Sequence, residues 1–142
     1  MKKIAAFLVS SLLFVAPLAQ AGEIADLKQK MIEARRTLYI MIDDGNKRGP
    51  DQQKKVKDTA DAVSTQFASM KAPAGKEKQF KELAATWKAF KKTREEELVP
   101  LILSRKQKEA EKVATGVQND RFMKMMMLCE ELEGNTPAAL IR

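Results

Sequence analysis

The sequence predicts an all-α fold, an antiparallel up-down-up-down four-helix bundle. Apolar residues recur at alternating steps of three and four through four long stretches. Breakers containing Gly or Pro separate those stretches. No sustained period-two run of β-branched residues occurs, so strand signals are missing. Helices of roughly 20 to 30 residues joined by short loops favour antiparallel neighbours.

The chain opens MKKIAAFLVSSLLFVAPLAQAGE. Lys2 and Lys3 form a basic start, Ile4 to Ala16 an apolar run, and Ala19-Gln20-Ala21 a small-residue cleavage box, with Pro17 breaking the helix just before it. This pattern reads as a secretory signal peptide over 1–21, cut after Ala21. The apolar run is shorter than the roughly 18 to 20 residues a spanning helix wants. The expectation is therefore a periplasmic protein of residues 22–142 with no membrane span.

The first helix is expected over about 23–44, where Ile24, Leu27, Met31, Ala34, Leu38 and Met41 form a heptad-like stripe. Gly45, Gly49 and Pro50 punctuate the turn that follows. Pro50 suits the first turn of a second helix, which buries Val56, Ala60, Val63, Phe67 and Met70. After Pro73 and Gly75, a third helix runs over about 76–103 through Phe80, Leu83, Trp87 and Phe90. Pro100 is expected to kink it or end it early. Ser104 and Gln107 have the spacing of a capping box for the fourth helix. That helix runs to about 133, with Ala110, Ala114, Val117, Arg121, Met125, Leu128 and Leu132 on one face.

Composition narrows the chemistry. The whole chain carries +7; without the two leader lysines the exported part carries +5, spread among interleaved acids. That is the pattern of a solvated helical surface, with no nucleic-acid track, and its sign suits small anions. Histidine is absent, which removes His-based triads, His–carboxylate di-iron sites and His-ligated haem. No catalytic residue, metal ligand or cofactor is assigned. Cys129 stands alone among Met126, Met127, Leu128 and Leu132 and reads as a small buried hydrophobe, the alternative being an intermolecular bridge. The FMKMMML run reads as adaptable core filler. Copper(I) is the other reading, but Met123, Met126 and Met127 do not share one face.

The third helix places Arg94 and Glu97 where its rhythm asks for leucine, and the fourth does the same with Arg121. Two readings stand side by side. Arg94 either makes a structural pair with Glu97 or another acid, or, with Thr93, recognises an anionic ligand, for which its planar fork is suited. On the first helix a second stripe of Ala25, Ile32, Arg36, Tyr39 and Ile40 runs beside the core stripe. It predicts a homodimer packed through helix one, with Arg35, Arg36, Thr37 and Tyr39 as a polar and aromatic group near the interface. Scattered surface apolars are the alternative.

The stretch WKAFKKTREEELVPLILSRKQKEAEKVATGVQNDRFMKMMMLCEEL resembles the second helical hairpin of the four-helix-bundle ligand-binding domain of bacterial methyl-accepting chemotaxis receptors. The shared features are the aromatic pair Trp87 and Phe90, Arg94 followed by Glu95 and Glu96, and an apolar helix end with a tight turn into KEAEKV. Helices one and two match by pattern and length. The resemblance implies a periplasmic sensory module that binds small organic acids or amino acids as a dimer, near helix one. Arg35, Arg36 and Tyr39 are the positions that echo such a site, and Arg94 matches the family's helix-three arginine. A receptor keeps membrane anchors and a cytoplasmic rod, whereas a chain with a cleaved leader ending at Arg142 is expected to hand its information to another protein.

The leading expectation is thus a sensor-like, non-enzymatic bundle with a small carboxylate-type ligand, signalling through an envelope or membrane receptor protein. The alternative is a helical periplasmic adaptor or chaperone-like protein with no small ligand.

Overall fold

Heptad-like stripes become helices in this chain because each stripe has another to cover it. The computed structural model describes residues 16–135, with side chains from residue 20 onward. The described residues are all-helical, in four helical segments, with no strand among them. The first is α1 (Ala16–Asp43) and the second α2 (Pro50–Ser69). The third is α3 (Glu77–Thr93), a π turn (Arg94–Leu98) and α4 (Val99–Leu103). The fourth is α5 (Gln107–Thr115) and α6 (Val117–Glu133), divided at Gly116. Helix α1 packs on α2 and on α6, α3 packs on α6, and α4 packs on α5. No described helix is long and apolar enough to cross a membrane.

The expected leader over 1–21 lies outside the described residues as far as residue 15. From Ala16 the chain is already helical, so α1 starts earlier than the stripe alone indicated, and Pro17 stands in its first turn, a position that tolerates proline.

The core divides in two. One apolar cluster gathers Ile24, Leu27, Met31 and Ala34 with Val63, Leu83, Trp87, Phe90, Met125 and Leu132. A smaller one, at the other end, gathers Leu38, Met41, Val56, Leu98, Ile102, Ala110 and Ala114. Trp87 is 3% exposed, stacks on Phe90 with ring centroids 5.6 Å apart, and donates its Nε1–H to Ser64 Oγ at 3.0 Å.

Each end of the molecule is closed by a long cation on backbone carbonyls. Arg48, from the loop after α1, donates to Met41 O at 2.8 Å, to Ile102 O at 3.1 Å and to Gln107 Oε1 at 2.8 Å. Lys76 Nζ donates to Glu131 O at 2.7 Å, at the C-terminal end of α6, where a positive charge complements the free carbonyls. The capping box expected of Ser104 and Gln107 is not formed. Ser104 Oγ donates back to Pro100 O at 2.7 Å, and the cap position of α5 is Lys106. The cap falls two residues beyond Ser104, with Arg105 at φ 59° in the turn, and Gln107 is drawn instead to Ile42 O at 3.0 Å.

Cys129 is fully buried in the larger cluster, as its apolar neighbours led one to expect. Burial pushes its thiol up to about 12, so thiolate is scarce at neutral pH and the sulfur is a poor nucleophile. Labelling with a disulfide reagent at pH 8 is therefore expected to be at least a hundredfold slower in the folded protein than in denaturant. Equal rates in both states would refute the packing described for Cys129.

Candidate functional site

A layer of buried polar side chains separates the two apolar clusters. Thr37, Arg94 and Gln118, at 5%, 0% and 3% exposure, are the buried polar or charged residues among those described. They come from three of the four segments, and Thr59 joins them from α2.

Two departures from regular helix bring these side chains inward. In the third segment the buried series runs Leu83, Trp87, Phe90, Arg94, Leu98, Ile102, ending in three consecutive steps of four. The π turn absorbs the extra residue, with Val99 N–H reaching back to Arg94 O. Glu97 is thereby rotated out to solvent. Pro100 follows directly, and the widened turn gives its ring room while the helix continues to Leu103. Pro100 therefore does not end the segment early, and the irregularity lies in the turn just before it, around its i−4 residue Glu96. In the fourth segment Gly116 plays the same part. The buried series there is Ala110, Ala114, Gln118, Phe122, Met125, so Gln118 and Phe122 take the places expected of Val117 and Arg121. Val117 is 44% exposed and Arg121 half-buried.

Arg94 occupies the centre of the layer. Its Nη1 donates to Ala34 O at 2.5 Å and its Nη2 to Val56 O at 2.6 Å, so one guanidinium spans α1 and α2. Thr37 Oγ1 also donates to Ala34 O, at 3.0 Å, and lies 3.0 Å from Thr59 Oγ1. The expected pair with Glu97 is absent, and Arg94 makes no salt bridge among the described residues. Its Nε is buried without a partner. Desolvation pushes the guanidinium down to about 10, opposed by the nearby charge of Glu95. A buried cation held by carbonyl dipoles alone is costly.

Arg94 also lines a recess of 520 Å³ between α2 and the third segment, with Val56, Lys57, Asp61, Lys91 and Val99 among the other lining residues. Lys91 bonds Glu95 at 2.6 Å and Asp61 at 3.4 Å. The bond to Glu95 chiefly raises the Lys91 ammonium above its ordinary value, and Lys57 chiefly holds the Asp61 carboxyl below its own.

The helix-one residues make a separate group. Arg35 lies 4.6 Å from the centroid of Tyr39 and 4.5 Å from that of Phe122, a cation between two rings. It donates to Tyr39 Oη and to Asn119 Oδ1, each at 3.2 Å. Tyr39 Oη donates to Ala114 O at 3.2 Å, close to the break at Gly116. Ile32, Arg35, Arg36, Tyr39 and Phe122 line a recess of 320 Å³. Arg36 is exposed and bonds Glu33 at 2.9 Å.

The structure thus gathers Arg35, Arg36 and Tyr39 around one recess and sets Arg94 at another. Thr93 belongs to neither, since its hydroxyl accepts from Arg121 at 2.7 Å. Sequence reasoning missed Gln118, whose Nε2 donates to Phe90 O at 2.9 Å and whose Oε1 accepts from Arg121 at 3.1 Å. It also missed Asp61 and Lys91, ordinary surface charges by their spacing. Gly116, one residue from the failing stripe, was the signal for Gln118. Of the expected methionines, Met125 is buried while Met123 and Met127 are 53% and 42% exposed. Among the described residues no group of three or more His, Cys, Asp or Glu is placed to hold a metal ion. No protein-family model, no curated protein and no solved structure matches the chain.

Proposed function

We propose that this protein is an exported, sensor-like antiparallel up-down-up-down four-helix bundle that binds a small carboxylate, an organic acid or amino acid, and signals through another envelope protein. The paired contacts support the bundle. Along α1 and α2 they descend on one helix as they rise on the other, from Gln66 with Glu23 to Gln52 with Thr37. Along α3 and α6 they run from Lys76 with Glu131 to Phe90 with Gln118. The resemblance of the third and fourth segments to chemoreceptor sensory domains supports the functional class.

One observation carries the ligand: Arg94 is a fully buried cation with no carboxylate partner among the described residues and an unused Nε. Such a charge is what an anion would relieve. The test is a thermal-shift screen of the purified protein with organic acids, amino acids and amines. A ligand present at a hundredfold its Kd adds about 2.7 kcal/mol to stability, and carboxylates are expected to raise Tm in a dose-dependent way. A flat response on well-folded protein would discard the ligand.

A second reading has its own support. Ile32 and Ile40, each 37% exposed, flank exposed Arg36 along the outer face of α1, and through them the chain would form a homodimer or dock on a partner as an adaptor. Light scattering of Ile32→Glu and Ile40→Glu tests this, since a dimer that persists in both excludes that face.

A further inference from the structure

The recess beside Arg94 differs from the recess beside Tyr39 in how deeply its unpaired cation is buried. Helices α2 and α3 do not bring their backbones together as α1 and α2 or α3 and α6 do. Long side chains bridge them, Trp87 to Ser64 and Lys91 to Asp61. Four cations line the resulting seam: Lys54, Lys57, Lys91 and Arg94. Lys54 is paired with Asp58, Lys57 with Asp61, and Lys91 with Glu95 and Asp61. Only Arg94 among them has no carboxylate, so the seam is short of one negative charge. Beside Tyr39, Arg36 is matched by Glu33. Arg35 also has no carboxylate among the described residues, but it is only half-buried and its guanidinium is already engaged by two rings, a phenol and an amide, so a bound anion would relieve less there.

We propose that the seam between α2 and α3 is the ligand site and that it takes a small monocarboxylate with a short apolar body. The inference rests on the anion-binding reading above. The carboxylate accepts from Nε–H of Arg94, the one guanidinium nitrogen left without a partner, in a charge-assisted bond of the strong kind. The apolar body lies against Val56 and Val99, which line the same recess. Arg94 has no exposed surface, so side chains over it move aside to admit the ligand. Lys91 and Glu95 are the pair placed to do so, because partly exposed lysine–glutamate pairs are weakly held. A second carboxylate on the ligand would find the remaining cations, Lys54, Lys57 and Lys91, already paired with Asp58, Asp61 and Glu95, and would have to compete with those acids at short range. Dicarboxylates are therefore disfavoured.

The test uses the whole protein labelled with ¹⁵N. The Arg94 Nε–Hε resonance, identified by its loss in Arg94→Lys, is followed on addition of butyrate, butyramide or succinate at constant ionic strength set with chloride. Butyrate is expected to shift this resonance saturably, butyramide to leave it in place, and succinate to act at least tenfold more weakly. Val99→Trp, which fills the seam, is expected to abolish the butyrate response, and Ile32→Trp, which fills the other recess, to preserve it. Suppose a monocarboxylate stabilises the fold while the Arg94 resonance stays still, and Ile32→Trp removes the effect. The seam is then wrong and the anion-binding reading survives. If no acid changes either Tm or any resonance, both fall together. Equal responses to butyrate and succinate overturn the single-charge argument.

Discussion

Arg94→Ala is expected to lower the free energy of unfolding by about 3 kcal/mol, roughly 10 °C in Tm for a domain of this size, whereas Arg94→Met is expected to stay within about 1 kcal/mol of the parent. The alanine variant leaves the volume of a long, fully buried side chain empty between two helices. The methionine variant refills most of that volume and removes a desolvated charge. Neither strands a backbone group, because Ala34 O and Val56 O lie inside helices whose own N–H donors reach them. The guanidinium, pushed down to about 10 by burial, stays charged at any physiological pH. Its unfolded counterpart binds the proton more tightly, so this group adds stability only as the pH climbs towards and past 10. The difference between the parent and the methionine variant is thus expected to be flat from pH 5 to pH 9, as read by urea denaturation. A methionine variant as weak as the alanine variant would show that the fork onto Ala34 and Val56 holds the layer together. A methionine variant that folds well but ignores carboxylates would place the charge in the service of binding, a familiar exchange of stability for function.

Gly116→Ala is expected to cost about 2 kcal/mol. A Cβ at this position would stand 2.8 Å from the backbone oxygen of Lys112, which cannot swing away as a side-chain tip can. Relief comes either from distorting the turn or from running α5 straight into α6. The straight helix would bring Val117 and Arg121 inward and carry Gln118 and Phe122 out of the core, breaking the Gln118 bond to Phe90 O and the stacking of Phe122 on Arg35. Urea denaturation gives the cost, and the ring resonances of Phe122 report which route was taken. Gly45→Ala is the control: nothing lies within 4 Å of its Cβ, and its stability is expected to change by less than about 0.5 kcal/mol.

These two positions mark where the sequence stopped being legible. The heptad rhythm of α1 and α2 translated largely into burial: Ile24, Leu27, Met31, Ala34, Leu38 and Met41 are all in the core, as are Val56, Ala60 and Val63, while Phe67 and Met70 are only partly buried against it. The third and fourth stripes slipped at one turn each, just after Phe90 and just after Ala114, and Met125, Leu128 and Leu132 beyond the second slip are buried as expected. At those turns a helical ruler with a constant pitch put Glu97, Val117 and Arg121 inside when they are not. A π turn has no composition of its own; its sign was the conflict itself, a glutamate on an apolar stripe ahead of a proline. Arg94 was legible as anomalous because it broke the stripe, but its partners were not. They are backbone carbonyls, which every residue has, so no side-chain complement announced them. The capping box of Ser104 and Gln107 failed for a similar reason. Its spacing was right, but the turn extended through Arg105, and the glutamine is engaged across the interface instead, its Nε2 donating to Ile42 O and its Oε1 accepting from Arg48.

Trp87 gives the seam between α2 and α3 a built-in optical probe. It is the chain's one tryptophan, one helical turn ahead of Lys91, with its indole N–H held by Ser64 on the facing helix. Indole emission responds to the polarity and hydrogen bonding of its surroundings, so any event that spreads these two helices or lets water between them changes its colour and intensity. Any such event on this side of the molecule can then be followed by fluorescence on unlabelled protein, on the millisecond scale of a stopped-flow instrument.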